Sequence, residues 1–141
     1  MRVFSSSEEE TIKLGEAIAK VLKGKEVLCL IGELGAGKTT LVKGIAKGMG
    51  ILEGYQVRSP TFTLVNEYPT AKGLLIHADL YRTRDVDLSE LVGKGVIVVE
   101  WGESLEICSC NVRIQILERG RIFDFSECEE LFIDFPYDRA S

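Results

Sequence analysis

Residues 28–41 read LCLIGELGAGKTTL and decide the fold. A short apolar run enters a glycine-rich turn, which ends in Lys38 and Thr39 and leads into apolar residues at helical spacing. Residues 32–39 match the pattern G-x-x-x-x-G-K-[ST] at every fixed position. Glycine adopts backbone angles that a Cβ would forbid, so such a loop can wrap a phosphate. The order of strand, loop and helix therefore predicts a site for nucleotide phosphates.

Each part of this loop has an expected role. Backbone N–H groups between Gly35 and Thr39 are expected to point at the phosphates, and the helix that begins near Lys38 adds the positive end of its dipole. Lys38 is expected to reach the β- and γ-phosphates, and the Thr39 hydroxyl to ligate Mg²⁺. The predicted nucleotide-binding residues of the loop are Glu33, Leu34, Gly35, Ala36, Gly37, Lys38 and Thr39.

Size and charge limit what else the chain can do. Its 141 residues fit a single domain, 1–141, with one nucleotide site and little room for a long lid. A net charge of −5 argues against autonomous nucleic-acid binding, which usually shows as a basic patch. Any nucleic acid is therefore expected to be held mainly by a partner protein. The acidic start, MRVFSSSEEE, does not resemble a signal peptide, and no apolar run is long enough to predict a membrane span.

The four cysteines, Cys29, Cys108, Cys110 and Cys128, form no C-x-x-C pair. This spacing favours neither a zinc site nor a disulfide framework. Cys29 falls inside a predicted core strand, where a thiol behaves as a small hydrophobic group. We therefore expect reduced cysteines and a cytoplasmic protein.

Local patterns predict an α/β sheet with hairpins. A capping box at Ser7 predicts a helix from about Glu8 to Lys23, and Gly50 fits the end of a second helix. Continuous apolar runs at 27–31 and 95–100 predict buried strands. Two antiparallel hairpins are predicted, one from LVNEY with LLIHADLY and one from NVRIQIL with RIFDFS. The segment ELFIDF predicts a last strand, and residues 87–90 predict a brief helix.

Two acidic residues are candidates for the chemistry. Glu100 ends an apolar strand, which is the Walker-B arrangement, although Asp is usual there and the longer Glu side chain can act through water. The alternative for Glu100 is a solvated carboxylate at the end of a strand. Asp79 is either a second site residue or a surface charge on the hairpin.

Other residues near these acids have two interpretations each. The only histidine, His77, is more typical of a packed residue than of a catalyst. Trp101 either lies near the base or ribose or packs against the core. In residues 59–63, SPTFT, the hydroxyl of Thr61 or Thr63 would sense the γ-phosphate and Mg²⁺, unless the segment is a plain connecting loop. Three arginines, Arg58, Arg82 and Arg84, are candidates to neutralise the transferring phosphate. The alternative for each is an ordinary surface arginine.

Together, the segments GELGAGKTT, SPTFTLVNEY, HADLYR and VVEWGE resemble the TsaE (YjeE) family in order and approximate spacing. These are bacterial ATPases of tRNA threonylcarbamoyladenosine biosynthesis. The resemblance runs from the first helix to about Glu103. It implies a three-layer P-loop NTPase fold with a mixed, largely parallel central sheet and antiparallel edge hairpins. It also implies slow hydrolysis of ATP to ADP within a complex with TsaD and TsaB, which modify tRNA next to the anticodon and which the TsaE member resets or maintains.

The resemblance assigns roles to individual positions. Thr40 joins the phosphate loop, and Thr61 falls on the switch-like segment. Asp79 and Glu100 fall on the acids of H-x-D-L-Y-R and E-W-x-E, Glu100 near Mg²⁺ and the attacking water. Trp101 falls close to the nucleotide. The implied catalytic residues are Lys38, Glu100 and Asp79, and the implied metal ligands are Thr39 and Glu100.

Some features depart from the family pattern. The stretch between Arg82 and Val96 is shorter than expected, Gly102 stands where Pro or Ala is more usual, and the chain after Leu105 carries little of the signature. No partner-contact residues are therefore assigned there.

Two other functions share the same phosphate loop. A small-molecule or nucleotide kinase would need a lid and a second substrate pocket, for which the short arginine cluster at residues 82–84 is the candidate. A nucleotide-gated binding module would need no turnover. A GTPase is disfavoured because the sequence has no N-K-x-D motif to read guanine, which favours adenine.

Overall fold

The computed structural model describes residues 1–33, 35, 37–60, 63–83, 86–101, 105–132 and 135. Across these residues, seven strands form one sheet in the order β1-β7-β6-β2-β5-β4-β3. The strands are β1 (Arg2–Ser5), β2 (Val27–Ile31), β3 (Val65–Thr70), β4 (Gly73–Asp79), β5 (Val96–Glu100), β6 (Cys110–Leu117) and β7 (Gly120–Asp124). The described chain has two α-helices, α1 (Glu8–Val21) and α2 (Lys38–Met49), and short 3₁₀ turns at Ser89–Leu91 and Ser126–Phe132.

The centre of the sheet is parallel and its edges are antiparallel. Strand β2 pairs in parallel with β5 and β6, and β5 pairs in parallel with β4. The hairpins β3–β4 and β6–β7 and the edge strand β1 supply the antiparallel pairs. This is the predicted mixed α/β sheet with edge hairpins. The carboxyl ends of β2, β4 and β5 meet at one edge, where ligands bind in open α/β sheets.

The two helices pack closely on one face of the sheet. Ser7 caps α1, since its Oγ accepts a hydrogen bond from the Glu10 N–H at 3.1 Å. A Cβ on Gly15 would lie 2.5 Å from the Leu41 carbonyl oxygen, and one on Gly44 would lie 2.3 Å from the Ile12 carbonyl oxygen. Both glycines are therefore needed for the close approach of α1 to α2, which places the start of α1 beside the phosphate loop.

On the opposite face, the described covering segments contain no α-helix. A second core cluster there consists of inward residues of β2, β4 and β5 together with Leu80 and Leu88. Partly buried residues from 86–91 and 105–108 pack against it. As far as the structure describes it, the third layer of the fold is built of irregular chain and one 3₁₀ turn. Among the described residues, no helix is long and apolar enough to cross a membrane.

The sequence interpretation missed one strand and misassigned another. β1 was not predicted, because it has only four residues and its place comes from pairing with the distant β7. The predicted last strand, ELFIDF, is wrong over 130–132, which end a 3₁₀ segment; residues 133 and 134 lie outside the described chain. The rings of Phe125, Phe132 and Phe135 pack against one another there. The apolar side chains are therefore buried by a turn and not by the alternating inward positions of a strand.

The expectation of reduced cysteines is wrong. Cys29 is bonded to Cys108 and Cys110 to Cys128, with no free cysteine remaining in the chain. Cys29 belongs to the cluster on the second face, where the segment before β6 brings Cys108 to a Cα–Cα distance of 5.9 Å. The partners are 79 and 18 residues apart along the chain, so the pairing depends on the fold and not on local spacing. The cysteines therefore give no support for a reducing compartment.

Candidate nucleotide site

A cleft of about 720 Å³ opens at the carboxyl ends of β2, β4 and β5. The strand register creates it, since Leu30 on β2 and Asp79 on β4 both pair with Glu100 on β5. The phosphate loop follows β2 and forms one wall of the cleft. The volume of the cleft lies within the range of small-molecule and cofactor sites.

The loop has the backbone geometry that its glycines permit. Gly35 and Gly37 adopt φ angles of +79° and +97°, in the left-handed region that strains other residues. Gly37 is the N-cap of α2, and its carbonyl accepts the first helical hydrogen bond from the Leu41 N–H at 2.9 Å. The residues of the loop and first helical turn that line the cleft are Gly35, Gly37, Lys38, Thr39 and Thr40. Two other predicted loop residues, Leu34 and Ala36, lie outside the described chain.

Lys38 lies inside the cleft with only 5% of its surface exposed. Its Nζ donates hydrogen bonds to the carbonyl oxygens of Gly32 at 2.6 Å and Glu33 at 2.8 Å. The same nitrogen lies 4.0 Å from the centre of the Trp101 ring, within cation–π distance. The loop's own carbonyls and the indole thus hold the ammonium group at the phosphate wall. Glu33 enters this arrangement through its backbone.

Thr39 and Glu100 are in direct contact. The Thr39 hydroxyl donates a hydrogen bond to Glu100 Oε2 at 3.0 Å, although the two residues are 61 positions apart. Glu100 is only 4% exposed, so it is not a solvated carboxylate at the end of a strand. A second contact meets the same oxygen: His77 Nε2 lies 2.5 Å from Glu100 Oε2. His77 is fully buried, as its packing interpretation requires, but it also belongs to the site.

The predicted metal ligands are chemically suited to Mg²⁺. A hydroxyl and a carboxylate are hard oxygen donors, and Mg²⁺ takes its remaining ligands from phosphates and water. Within the described chain, no group of three or more His, Cys, Asp or Glu side chains is arranged to hold a metal. A site completed by the nucleotide therefore fits these residues better than a cage made by the protein alone.

Asp79 lies in the cleft rather than on the hairpin surface. It is 5% exposed and ends β4 directly beside Glu100. Its Oδ1 accepts a hydrogen bond from the Tyr81 N–H at 2.8 Å, which orients the carboxyl group. The Asp79 N–H in turn donates to the Leu64 carbonyl at 2.9 Å, which ties β4 to the end of the SPTFT segment.

Trp101 has an unusual backbone conformation for its residue type. Its φ is +64°, and its N–H donates to the Leu30 carbonyl at 3.1 Å. The indole lies 4.8 Å, centre to centre, from the ring of Tyr81, with a tilt of 41°. Trp101 also packs against the second core cluster, as its packing interpretation requires, and it lines the cleft. Its place near the base or ribose stays a prediction.

The other predicted site residues are the threonines of the SPTFT segment and three arginines. Thr61 and Arg84 lie outside the described residues. The Thr63 hydroxyl donates to Asn66 Oδ1 at 2.7 Å and does not line the cleft, whereas Ser59 does. Arg82 lines a smaller neighbouring cavity beside Tyr81 and Trp101. The Arg58 backbone is held by the Tyr68 hydroxyl, which accepts from its N–H at 3.0 Å.

A second wall of the cleft was missed by the sequence interpretation. It is formed by the approach to α1 and by the turn between β6 and β7, and its lining residues are Ser5, Ser6, Ser7, Glu8, Thr11, Glu118, Arg119, Gly120 and Arg121. The Arg121 guanidinium donates to the Gly35 carbonyl at 3.1 Å and so joins the two walls. The sequence interpretation used residues 7–10 only as a helix cap, and residues 118–121 only as the connection of the hairpin between NVRIQIL and RIFDFS. The pairing of Ser5 with Arg121, which brings the two segments together, depends on the unpredicted β1.

Comparisons with known proteins agree on one family. The family model of "Threonylcarbamoyl adenosine biosynthesis protein TsaE" matches residues 5–122. The tRNA threonylcarbamoyladenosine biosynthesis protein TsaE of Aquifex aeolicus is 55% identical over 119 residues, covering 84% of this chain and 90% of that protein. The protein of that name from Bacillus subtilis is 42% identical over 114 residues, covering 77% and 71%. The crystal structure of Bacillus subtilis YdiB superposes with a TM-score of 0.80 at 32% identity, covering 96% of this chain and 93% of that chain.

Proposed function

The chain belongs to the TsaE family of tRNA threonylcarbamoyladenosine biosynthesis proteins, and we propose that it serves this modification as a Mg²⁺-dependent ATPase. The observation that carries the proposal is the hydrogen bond between Thr39 and Glu100 at 3.0 Å. It links the phosphate loop to the acid at the end of the neighbouring strand, which is the pairing that P-loop enzymes use to hold Mg²⁺ on a nucleotide.

The phosphate end of ATP binds at the loop wall. The N–H groups of the first turn of α2 and the positive end of its dipole attract the phosphates. Lys38 is held by two carbonyl oxygens at this wall and balances the negative charge of the γ-phosphate. Thr39 and Glu100 would hold Mg²⁺, which would supply positive charge against the charge that develops on the phosphate oxygens.

Hydrolysis needs a water in line with the bond that breaks. The oxygen of that water attacks the γ-phosphorus, and the bond to the bridging oxygen of ADP breaks. Asp79 and Glu100 end adjacent strands and are both nearly buried, so either carboxylate can orient the water and accept its proton.

The nucleoside end of ATP lies toward the second wall. Serine hydroxyls at the start of α1 and the β6–β7 turn present hydrogen-bonding groups there, and Trp101 offers an aromatic surface at the cleft. Arg121 fixes the turn to the phosphate loop and so sets the width of the cleft. Adenine is the proposed base, since no N-K-x-D motif is present to select guanine.

The chain acts together with TsaD and TsaB, and uses ATP to reset or maintain the transferase between cycles. A net charge of −5 suits a subunit that reaches tRNA only through such partners. We place the protein in the cytoplasm because tRNA modification requires it there, and not because of its cysteines. Slow turnover by the free subunit is expected, since groups supplied by a partner can accelerate P-loop hydrolysis by several orders of magnitude.

The test is the balance of products from ATP with Mg²⁺, measured for the wild-type protein and for Lys38→Ala. We expect equal amounts of ADP and inorganic phosphate from the wild type. Lys38→Ala should weaken nucleotide binding and abolish turnover. Normal turnover in that variant would remove the phosphate-site assignment.

Two other results would replace the ATPase with a different function. ADP without inorganic phosphate, in the presence of candidate acceptors, would indicate a kinase. Tight ATP binding without either product, even with TsaD and TsaB, would indicate a nucleotide-gated binding module.

A further inference from the structure

His77 and Thr39 contact the same oxygen of Glu100 from two different elements, β4 and α2. We infer that His77 is a positioning residue of the nucleotide site, which fixes the Glu100 carboxylate against Thr39. This inference rests on the proposed Mg²⁺-nucleotide site. It assigns to the only histidine a role that neither its packing nor the phosphate-loop motif provides.

The strand register brings the two side chains together. His77 pairs with Val98, and Asp79 pairs with Glu100, so His77 and Glu100 lie on the same face of adjacent parallel strands. His77 has no exposed surface, and Glu100 has 4%. A carboxylate buried to this extent has little water to satisfy its oxygens, so its orientation depends on hydrogen bonds from the protein. Glu100 Oε2 receives those from the Thr39 hydroxyl and the His77 ring.

The ring of His77 is oriented by this one polar contact. In the described part of the chain, His77 Nδ1 is buried and has no hydrogen-bond partner. The contact with Glu100 satisfies Nε2, whereas a buried ring nitrogen without a partner costs free energy. A leucine would fill the same place without any unpaired polar atom. The histidine therefore brings a cost that is compensated only by its bond to Glu100.

The consequence concerns metal binding more than nucleotide binding. Thr39 would be able to ligate Mg²⁺ through an oxygen lone pair while its O–H group still donates a hydrogen bond to Glu100. Without the bond from His77, the Glu100 side chain gains other rotamers and the hydroxyl–carboxylate pair is no longer preorganised. Outer groups that orient metal ligands typically contribute about 10–100-fold to metal affinity. Lys38 Nζ is held by the carbonyl oxygens of Gly32 and Glu33, so nucleotide binding without metal is expected to stay.

Two polar variants of similar size separate positioning from packing. In His77→Gln the side-chain amide nitrogen can reach the place of Nε2, whereas in His77→Asn it reaches only the place of Nδ1. A third variant, His77→Leu, keeps the apolar packing and has no donor. The measurement is ADP affinity by calorimetry, across a Mg²⁺ titration and in EDTA, with thermal melting as the check of folding.

We expect the Mg²⁺ concentration for half-maximal enhancement of ADP binding to rise at least tenfold in His77→Asn and His77→Leu. In His77→Gln it should stay within about threefold of the wild type, and in EDTA all folded variants should bind ADP within about twofold of the wild type. Equal Mg²⁺ titrations for Gln and Asn, or an unchanged titration in folded His77→Leu, would overturn the inference. A wild-type protein whose ADP binding ignores Mg²⁺ would instead overturn the proposed function.

Discussion

The Cys29–Cys108 disulfide is expected to stabilise the chain more than the Cys110–Cys128 disulfide. The comparison uses Cys108→Ala and Cys128→Ala, because both residues are only partly buried and each substitution opens one cross-link. The buried partners, Cys29 and Cys110, then remain as small hydrophobic thiols. The two variants therefore differ mainly in the length of chain that is released in the unfolded state.

The magnitude follows from the loops that the disulfides close. The sequence separations are 79 and 18 residues. In the chain-entropy model these loops correspond to about 4.5 and about 3.2 kcal/mol at 25 °C, a difference of about 1.3 kcal/mol. The prediction concerns the difference between the two free energies, because the measured stabilisation by a single disulfide is often smaller than the chain-entropy model gives.

The assay is urea unfolding without reductant, with free energies obtained by linear extrapolation. Thiol titration of the unfolded proteins should find none in the wild type and one in each variant. Cys108→Ala should lose more stability than Cys128→Ala, and dithiothreitol should destabilise the wild type below either variant. Equal losses, or the larger loss in Cys128→Ala, would refute the reasoning from loop length, and free thiols in the wild type would refute the pairing itself.

Three further predictions concern the metal, the helix contact and pH. Thr39→Ala should shift the Mg²⁺ dependence of turnover more than it changes ADP affinity; an unchanged Mg²⁺ titration would show that the ligand lies elsewhere. Gly15→Ala should cost about 1–3 kcal/mol in urea unfolding, because its Cβ would lie 2.5 Å from the Leu41 carbonyl oxygen, whereas exposed Lys13→Ala should stay within about 0.5 kcal/mol; equal effects would refute the packing argument. Burial raises the pKa of Glu26, but backbone N–H groups of residues 23–26 outweigh it and hold the pKa below its ordinary value of 4.5. The stability from this group is present above pH 4.5 and is lost as pH falls through the lower, folded pKa. Glu26→Gln should therefore cost about 1 kcal/mol at neutral pH, allowing for solvent screening, and nothing in acid; a loss that persists in acid would contradict the assignment.

Features set by short-range patterns could be predicted from the sequence. The phosphate loop, the Ser7 cap and the two hairpins each depend on residues within a few positions of one another. The placement of Glu100 at the cleft followed from its position at the end of a buried strand beside the phosphate-loop strand.

Features that depend on pairing between distant parts of the chain could not be predicted from the sequence. The second wall of the cleft exists because β1 pairs with β7, which joins the beginning of the described chain to a turn more than 100 residues away. The disulfides and the contact between His77 and Glu100 likewise depend on which strands are neighbours. A lone histidine in an apolar strand carries no local sign that its ring reaches a carboxylate 23 residues further along.

The most direct test of the proposed function is multiple-turnover ATP hydrolysis with Mg²⁺, measured with and without the TsaB–TsaD pair and beside Lys38→Ala. The proposal predicts slow phosphate release by the chain alone, a clear increase when the pair is added, and no release by the Lys38→Ala protein in either condition. Turnover that the pair leaves unchanged, or that survives in Lys38→Ala, would contradict an ATPase completed by its partners.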